Sequence, residues 1–364
     1  MTVVRKPGDA VAGLLKGAWR DTPPPEKISE EEFEIAAPLL LISGAGALGW
    51  SRIRQQSSLH GMSSAQLLRN AYLASAVELI EHERKIATVA SELAREQILF
   101  ILLKGRAAAR FYSEPSLRPT GDIDLYFPRE LMRRVRPIFD EPPYSGYHVD
   151  LEHTQFARFD DRCFEQFYTQ TKSIWLGDIE LRVLGEEDHL RFLCLHFLKH
   201  GGWRPIWLCD IAAVLEQVAP DFDWDRCLGL NEVHANWILC TIGLAQNILQ
   251  ARLQHPPPPS RRISPPAWLV NHILDRWGNP VLPHLPTFEE QIRQEWRQPI
   301  KLIDAMLNRW PDPIQATLHA GRPFNEHPRW PSQLRTFRSR AARLGCMKVL
   351  ETLSSVRRIT DGKI

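Results

Sequence analysis

Along the 364-residue chain the spacing of apolar positions changes several times, and each change marks an element. From Ser64 to Gln97, Leu67, Leu68, Leu73, Ala76, Val77, Ile80, Ile86, Val89 and Leu93 recur at helical spacing among charges, which predicts a long helix or a helix pair. The run ILFILL at 98–103 is short, continuous and apolar and stops at Lys104 and Gly105, the pattern of a strand buried on both faces. A short helix is expected over 106–112. GDIDLYF at 121–127 alternates and reads as a strand, Pro128 to Asp140 as a helix opened by its proline, and YHVDLEH at 147–153 as another strand. SIWLGDIELRVL at 173–184 reads as a hairpin turning at Gly177 and Asp178.

After Gly185 the period becomes helical: EEDHLRFLCLHFLKH, PIWLCDIAAVLEQV and a third stretch from Asn236 to Leu253, ended by the linker HPPPPS. Residues 264–364 alternate helix-like pieces with prolines. They close on a basic amphipathic stretch, 334–358, expected to dock its apolar stripe on the core, with an anionic membrane or acidic partner as the alternative. Residues 1–60 show no sustained period. Gly44, Gly46 and Gly49 match GxGxxG, but no strand–glycine–helix–strand unit surrounds them and no acidic residue follows at the right distance, so a packing turn is expected. The class is α+β: a small mixed β-sheet flanked by helices, then a largely helical C-terminal region. The divisions expected are an N-terminal extension 1–63, a core 64–185, a helical module packed on it 186–255, and a proline-punctuated helical region 256–364.

Composition narrows the function. With 45 Lys and Arg against 43 Asp and Glu, the net charge of +2 argues against polyanion binding driven by overall charge. The six cysteines are scattered without a CxxC pair, as expected for reduced core thiols. No leader-like start and no apolar run of membrane-spanning length is evident, so the expectation is a cytoplasmic protein.

On a strand, residues i and i+2 share a face, so GDIDLYF is expected to put Asp122, Asp124 and Tyr126 opposite Ile123, Leu125 and Phe127. Two neighbouring carboxylates repel, and a divalent cation between them removes that cost. A DxD pair alone is more often an exposed turn. Here an apolar strand ending in Lys104 and Gly105 precedes it, then a helix start and Arg118. Glycine lets backbone N–H groups approach a polyphosphate, and Lys104 and Arg118 can neutralise its oxygens. HVDLEH offers Asp150 or Glu152 as a third carboxylate. Hard oxygen ligands suit magnesium or manganese.

In this order the sequence resembles the uncharacterised bacterial nucleotidyltransferases of the DNA polymerase beta-like superfamily. The elements are Leu103-Lys104-Gly105, Arg118, Gly121-Asp122-Ile123-Asp124-Leu125, HVDLEH at 148–153, RVL at 182–184, EED at 186–188, LCLHFLKH at 193–200 and WLCDIAAVL at 207–215. The likeness covers about residues 64–220. It implies that Asp122, Asp124 and Asp150 are metal ligands and catalytic, and that Gly105 lies on the phosphate side, with Lys104, Arg118 and Gly121 also assigned to the nucleotide. It implies transfer of a nucleoside monophosphate from a nucleoside triphosphate, with pyrophosphate release, to a metabolite, peptide, protein or RNA acceptor. Two departures stand out: Arg106 replaces the serine that follows glycine in classical members, and 140–147 is short. They keep open a catalytically silent binding or accessory protein on the same scaffold; a phosphotransferase is a further alternative.

Other constellations carry less. His196 and His200 lie four apart on a helix, as zinc ligands can, but without HExxH or a third ligand; with Lys199 and Glu152 they are candidate substrate contacts. Asp210, in an apolar helix start, is expected to hold a structural hydrogen bond, and most of the twelve tryptophans to lie in the core or at a domain interface. There is no GxSxG, kinase HRD or DFG, or GxxxxGK[ST].

Overall fold

The computed structural model describes residues 6–152, 162–261, 263–279 and 310–339. Contacts group the chain into two units, Met1–Pro280 and Val281–Ile364. In the second, α13 (Pro313–His319) is capped by Asp312, and residues 330–339 are helical. The remainder of the basic stretch 334–358, from 340 on, lies outside the described residues.

The first unit begins with α1 (Pro7–Leu15), α2 (Glu30–Ile42) and α3 (Gly46–Ile53), where no element was expected from the sequence. The reason is burial. Gly8, Ala10, Val11, Ala12, Leu14 and Leu15 are all buried in α1, so its apolar pattern has no polar face to give it a period. Ser29 and Glu32 close a capping box at the start of α2. Gly46 and Gly49 sit inside α3, where an added Cβ would stand 2.9 Å from Ala71 and Leu40 respectively. Gly46 and Gly49 thus serve close helix packing, while Gly44, at φ 76, turns the chain between α2 and α3.

The helix α4 (Ser63–Arg95) runs unbroken for 33 residues. Its buried face is Leu68, Ser75, His82, Ile86, Val89 and Leu93, while Leu67, Leu73, Val77 and Ile80 of the expected stripe are exposed. Only the second half of α4 packs on the sheet, with Ile86, Val89, Ala90 and Leu93 in its core cluster. The first half packs instead on α2, α3 and the turn Pro115–Leu117.

The sheet is mixed, in the order β3-β2-β1-β5-β4. Its strands are β1 (Ile101–Leu102), β2 (Ile123–Tyr126), β3 (Val149–Glu152), β4 (Lys172–Leu176) and β5 (Ile179–Val183). β1 is antiparallel to β2 and parallel to β5; β2 and β3 are parallel; β4 and β5 form the hairpin, with Gly177 at φ 59 in its two-residue turn. The expected strand 98–103 is cut to two residues, because Gln97 turns with φ 55 and Leu99 is 54% exposed. Between the strands lie α5 (Arg106–Ala109), α6 (Met132–Asp140) and α7 (Phe164–Tyr168). Ile123, Leu125 and Phe127 face a core closed by α4 and α6. On the opposite face Tyr126 packs on Phe164 and Phe167 of α7.

The helices that follow are α8 (Glu186–Lys199), α9 (Pro205–Leu215), α10 (Trp224–Leu228), α11 (Glu232–Leu249) and α12 (Ala267–Gly278). α8 is buried from Asp188 to Leu198 and packs against α9, α10 and α11. α1 closes on α12 so tightly that a Cβ on Gly8 would stand 1.9 Å from the Leu274 carbonyl oxygen. The fold is thus α+β, a five-stranded mixed sheet with helical layers. Among the described residues no helix is long and apolar enough to cross a membrane, and Cys163, Cys194, Cys209, Cys227 and Cys240 are free thiols.

Candidate active site

The site grows from the parallel register of β2 and β3. Asp124 stands opposite Asp150, and Tyr126 opposite Glu152. Side chains at these paired and diagonal positions are neighbours, and oxygens of Asp124, Asp150 and Glu152 all lie within 4.8 Å of one another. Asp124 is buried, Asp150 exposed and Glu152 half-buried. At the end of β1, Lys104 reaches across so that its Nζ lies 2.5 Å from Asp124 Oδ1.

The electrostatics follow from this crowding. Burial raises the Asp124 carboxyl above its ordinary value and Asp150 adds to the rise, against Lys104 and Arg118. Burial, then Asp150, pushes Glu152 up to about 7, with Lys104 and Lys199 opposing. Three acids in a partly dry pocket are costly to keep ionised together, and the Lys104 ammonium offsets part of that cost.

Asp122 stands at the edge of this cluster. β2 starts at Ile123, so Asp122 precedes the strand; it is exposed and is not one of the three converging carboxylates. Gly121 is exposed, with nothing within 4 Å of an added Cβ. Gly105 differs: at φ 57 and ψ −115 it makes the turn from β1 into α5. Arg118 is 8% exposed and its Nε and Nη2 donate to both carboxylate oxygens of Asp210, at 3.2 and 3.1 Å. Tyr112 donates to the same carboxylate at 2.7 Å. The structural bond expected of Asp210 is therefore to Arg118, which is held by α9.

A model of the family described as "Uncharacterised nucleotidyltransferase" matches residues 44–246, more than half of the chain and the whole of this site. The chain belongs to this nucleotidyltransferase family. The crystal structure of an antigenic nucleotidyltransferase-like protein from Paracoccidioides brasiliensis is similar at 15% identity and a TM-score of 0.36, over 48% of this chain and 94% of that one. No curated protein sequence matches the chain.

In this family member, α8 brings the remaining candidates toward Lys104. His196 is buried with its Nδ1 lacking a hydrogen-bond partner, its ring 4.6 Å from that of His200 and 4.9 Å from Trp207. Burial first, then Lys104, His200 and Lys199, hold His196 well below the ordinary imidazole value. Burial, Lys199 and Lys104 hold His200 at about 4. Neither histidine belongs to a group of three or more potential ligands among the described residues, so the zinc pattern finds no third ligand. His82 of α4 was passed over in the sequence, although it falls on the spacing Leu68, Ser75, His82, Val89 that marks the buried face.

Proposed function

We propose that this chain is a metal-dependent nucleotidyltransferase that moves a nucleoside monophosphate from a nucleoside triphosphate to a hydroxyl or phosphate acceptor and releases pyrophosphate. The observation that carries this reading is the convergence of Asp124, Asp150 and Glu152 within 4.8 Å beside Lys104. Membership of the family supports the same class.

The donor set is all carboxylate oxygen, which fits magnesium or manganese and disfavours softer metals. When bound, such a cation would favour ionisation of an acceptor hydroxyl and neutralise charge on the transferring phosphoryl group. Asp124 and Asp150 would hold it, with Glu152 beside them, and Asp122 would serve the phosphate side. Lys104 would leave Asp124 for a phosphoryl oxygen, and the backbone at Gly105 would receive the phosphates. With its carboxyl raised to about 7, Glu152 can accept a proton from the acceptor near neutral pH. Arg118 contributes its charge from a position fixed by Asp210. His196, Lys199 and His200 line the side toward α8 as contacts for nucleotide or acceptor.

A silent scaffold has no need to hold three carboxylates together against their repulsion, so the trio favours an active site. The near-neutral charge favours a metabolite or peptide acceptor over long RNA. The free thiols fit a reducing compartment such as the cytoplasm.

The test is label transfer from α- or γ-labelled nucleoside triphosphates, with magnesium and fractionated acceptor pools. Transfer of the α label to an acceptor, with the γ label released in pyrophosphate and both abolished by Asp124→Asn, is expected. Transfer of the γ label with nucleoside diphosphate formation would instead mean a phosphotransferase.

A further inference from the structure

His82 stands in the middle of α4, 7% exposed, and nothing proposed so far uses it. A buried imidazole ordinarily has a hydrogen-bond partner. Among the described residues none bonds to this ring, and its nitrogens are not fully closed off from solvent. Its Nε2 lies 3.4 Å from the point where a Cβ on Gly105 would stand, so the ring is set directly over the turn from β1 into α5. The neighbouring Glu83 pairs with Arg106 at 2.6 Å, tying α4 to the first residue of α5 and fixing that approach.

The charges around His82 differ from those around Glu152, with Arg118 shared between His82 and Asp124. Those acting on Glu152 are Asp150, Lys104, Lys199 and Asp124; those acting on His82 are Arg118, Lys85 and Asp122. The site therefore has two ends. At one, three acids converge. At the other, the His82 ring stands over the bare backbone of Gly105 within the fields of Arg118 and Lys85 as well as Asp122, a combination that suits a polyanion better than a neutral base or sugar.

Building on the nucleotidyltransferase reading, we propose that His82 is a substrate-binding residue whose Nε2 donates to a β- or γ-phosphoryl oxygen of the triphosphate seated at Gly105. In the free protein, burial, Arg118 and Lys85 outweigh Asp122 and hold the ring at about 4, so it is neutral and offers one N–H. No bond to another side chain has to break before that N–H meets the phosphate.

The test compares wild type, His82→Leu and His82→Gln for binding of three probes with magnesium: inorganic tripolyphosphate, the four α,β-methylene nucleoside triphosphates, and the nucleoside monophosphates. Leucine fills the space without a donor, whereas glutamine places an amide N–H near the Nε2 position. His82→Leu should weaken tripolyphosphate and triphosphate binding about tenfold and leave monophosphate binding unchanged, with His82→Gln restoring most of the loss. In the wild type, the 15N resonance of His82 Nε2 should move with tripolyphosphate and not with monophosphates, a readout that needs no variant to fold.

If wild type binds the triphosphates and His82→Leu binds them equally well, or loses all three probes alike, the assignment of His82 is wrong and the nucleotidyltransferase reading stands. If wild type binds neither tripolyphosphate nor any triphosphate, both fall together.

Discussion

The Lys104 ammonium lies 2.5 Å from Asp124 Oδ1, with the two side chains only 15% and 8% exposed. In this position the lysine takes the place of a cation for the trio Asp124, Asp150 and Glu152. A divalent ion must compete with it, while a triphosphate gives the ammonium another partner. Lys104→Met should therefore bind Mn2+ about tenfold more tightly than wild type without nucleotide, and lose transfer. Electron paramagnetic resonance of free Mn2+ measures this; equal affinities would mean that the ammonium does not compete.

Glu152 supplies a pH test. Its folded-state value of about 7 lies above the ordinary 4.5, so the fold favours the protonated acid. Its contribution to stability is fully present below 4.5 and lost as pH rises through about 7. Glu152→Gln mimics the protonated form. In chelator, its melting temperature should gain on wild type between pH 5 and pH 8, and added magnesium should reduce that gain by stabilising the wild type. A difference constant with pH would contradict the raised value.

Arg118 and Asp210 make a different kind of pair, buried and bidentate, with Tyr112 as a further donor. Removing the carboxylate leaves a guanidinium without its counter-ion in the interior. Asp210→Ala should cost about 3–5 kcal/mol in urea unfolding, and Tyr112→Phe only about 1 kcal/mol. A cost for Asp210→Ala below about 1 kcal/mol would show that this pair does not hold α9 to the core.

Gly105 and Gly121 carry opposite expectations. Alanine at Gly105 must take φ 57 and ψ −115 and set its Cβ 3.4 Å from His82, whereas Gly121 has open space and no positive φ. Gly105→Ala should lose about 1–3 kcal/mol of stability together with triphosphate affinity, and Gly121→Ala should stay within about 0.5 kcal/mol. Thermal unfolding and a binding titration separate the two; a harmless Gly105→Ala would contradict the turn geometry.

The central elements were legible because their signals are local. Alternation places Ile123, Leu125 and Phe127 in the core, Gly177 marks the hairpin, and the DIAAVL and LCLH runs mark α9 and α8. What the sequence hid depends on distant partners. α1 has no polar face, and Leu67, Leu73, Val77 and Ile80 of the apolar stripe of α4 are left exposed. The meeting of Asp124 with Asp150 follows from a parallel register between strands 26 residues apart, which no local spacing encodes. Arg118 looked like a free phosphate ligand because its partner Asp210 lies 92 residues away. His82 looked like one more helix residue until Gly105 folded against it.

The most direct measurement is calorimetric titration of the four α,β-methylene nucleoside triphosphates into wild type and Asp124→Asn, with and without magnesium, circular dichroism confirming that both are folded. At least one triphosphate should bind wild type only when magnesium is present, and Asp124→Asn should lose that binding. Binding that ignores magnesium, or that survives Asp124→Asn unchanged, would contradict a metal-dependent nucleotidyltransferase site built on this carboxylate.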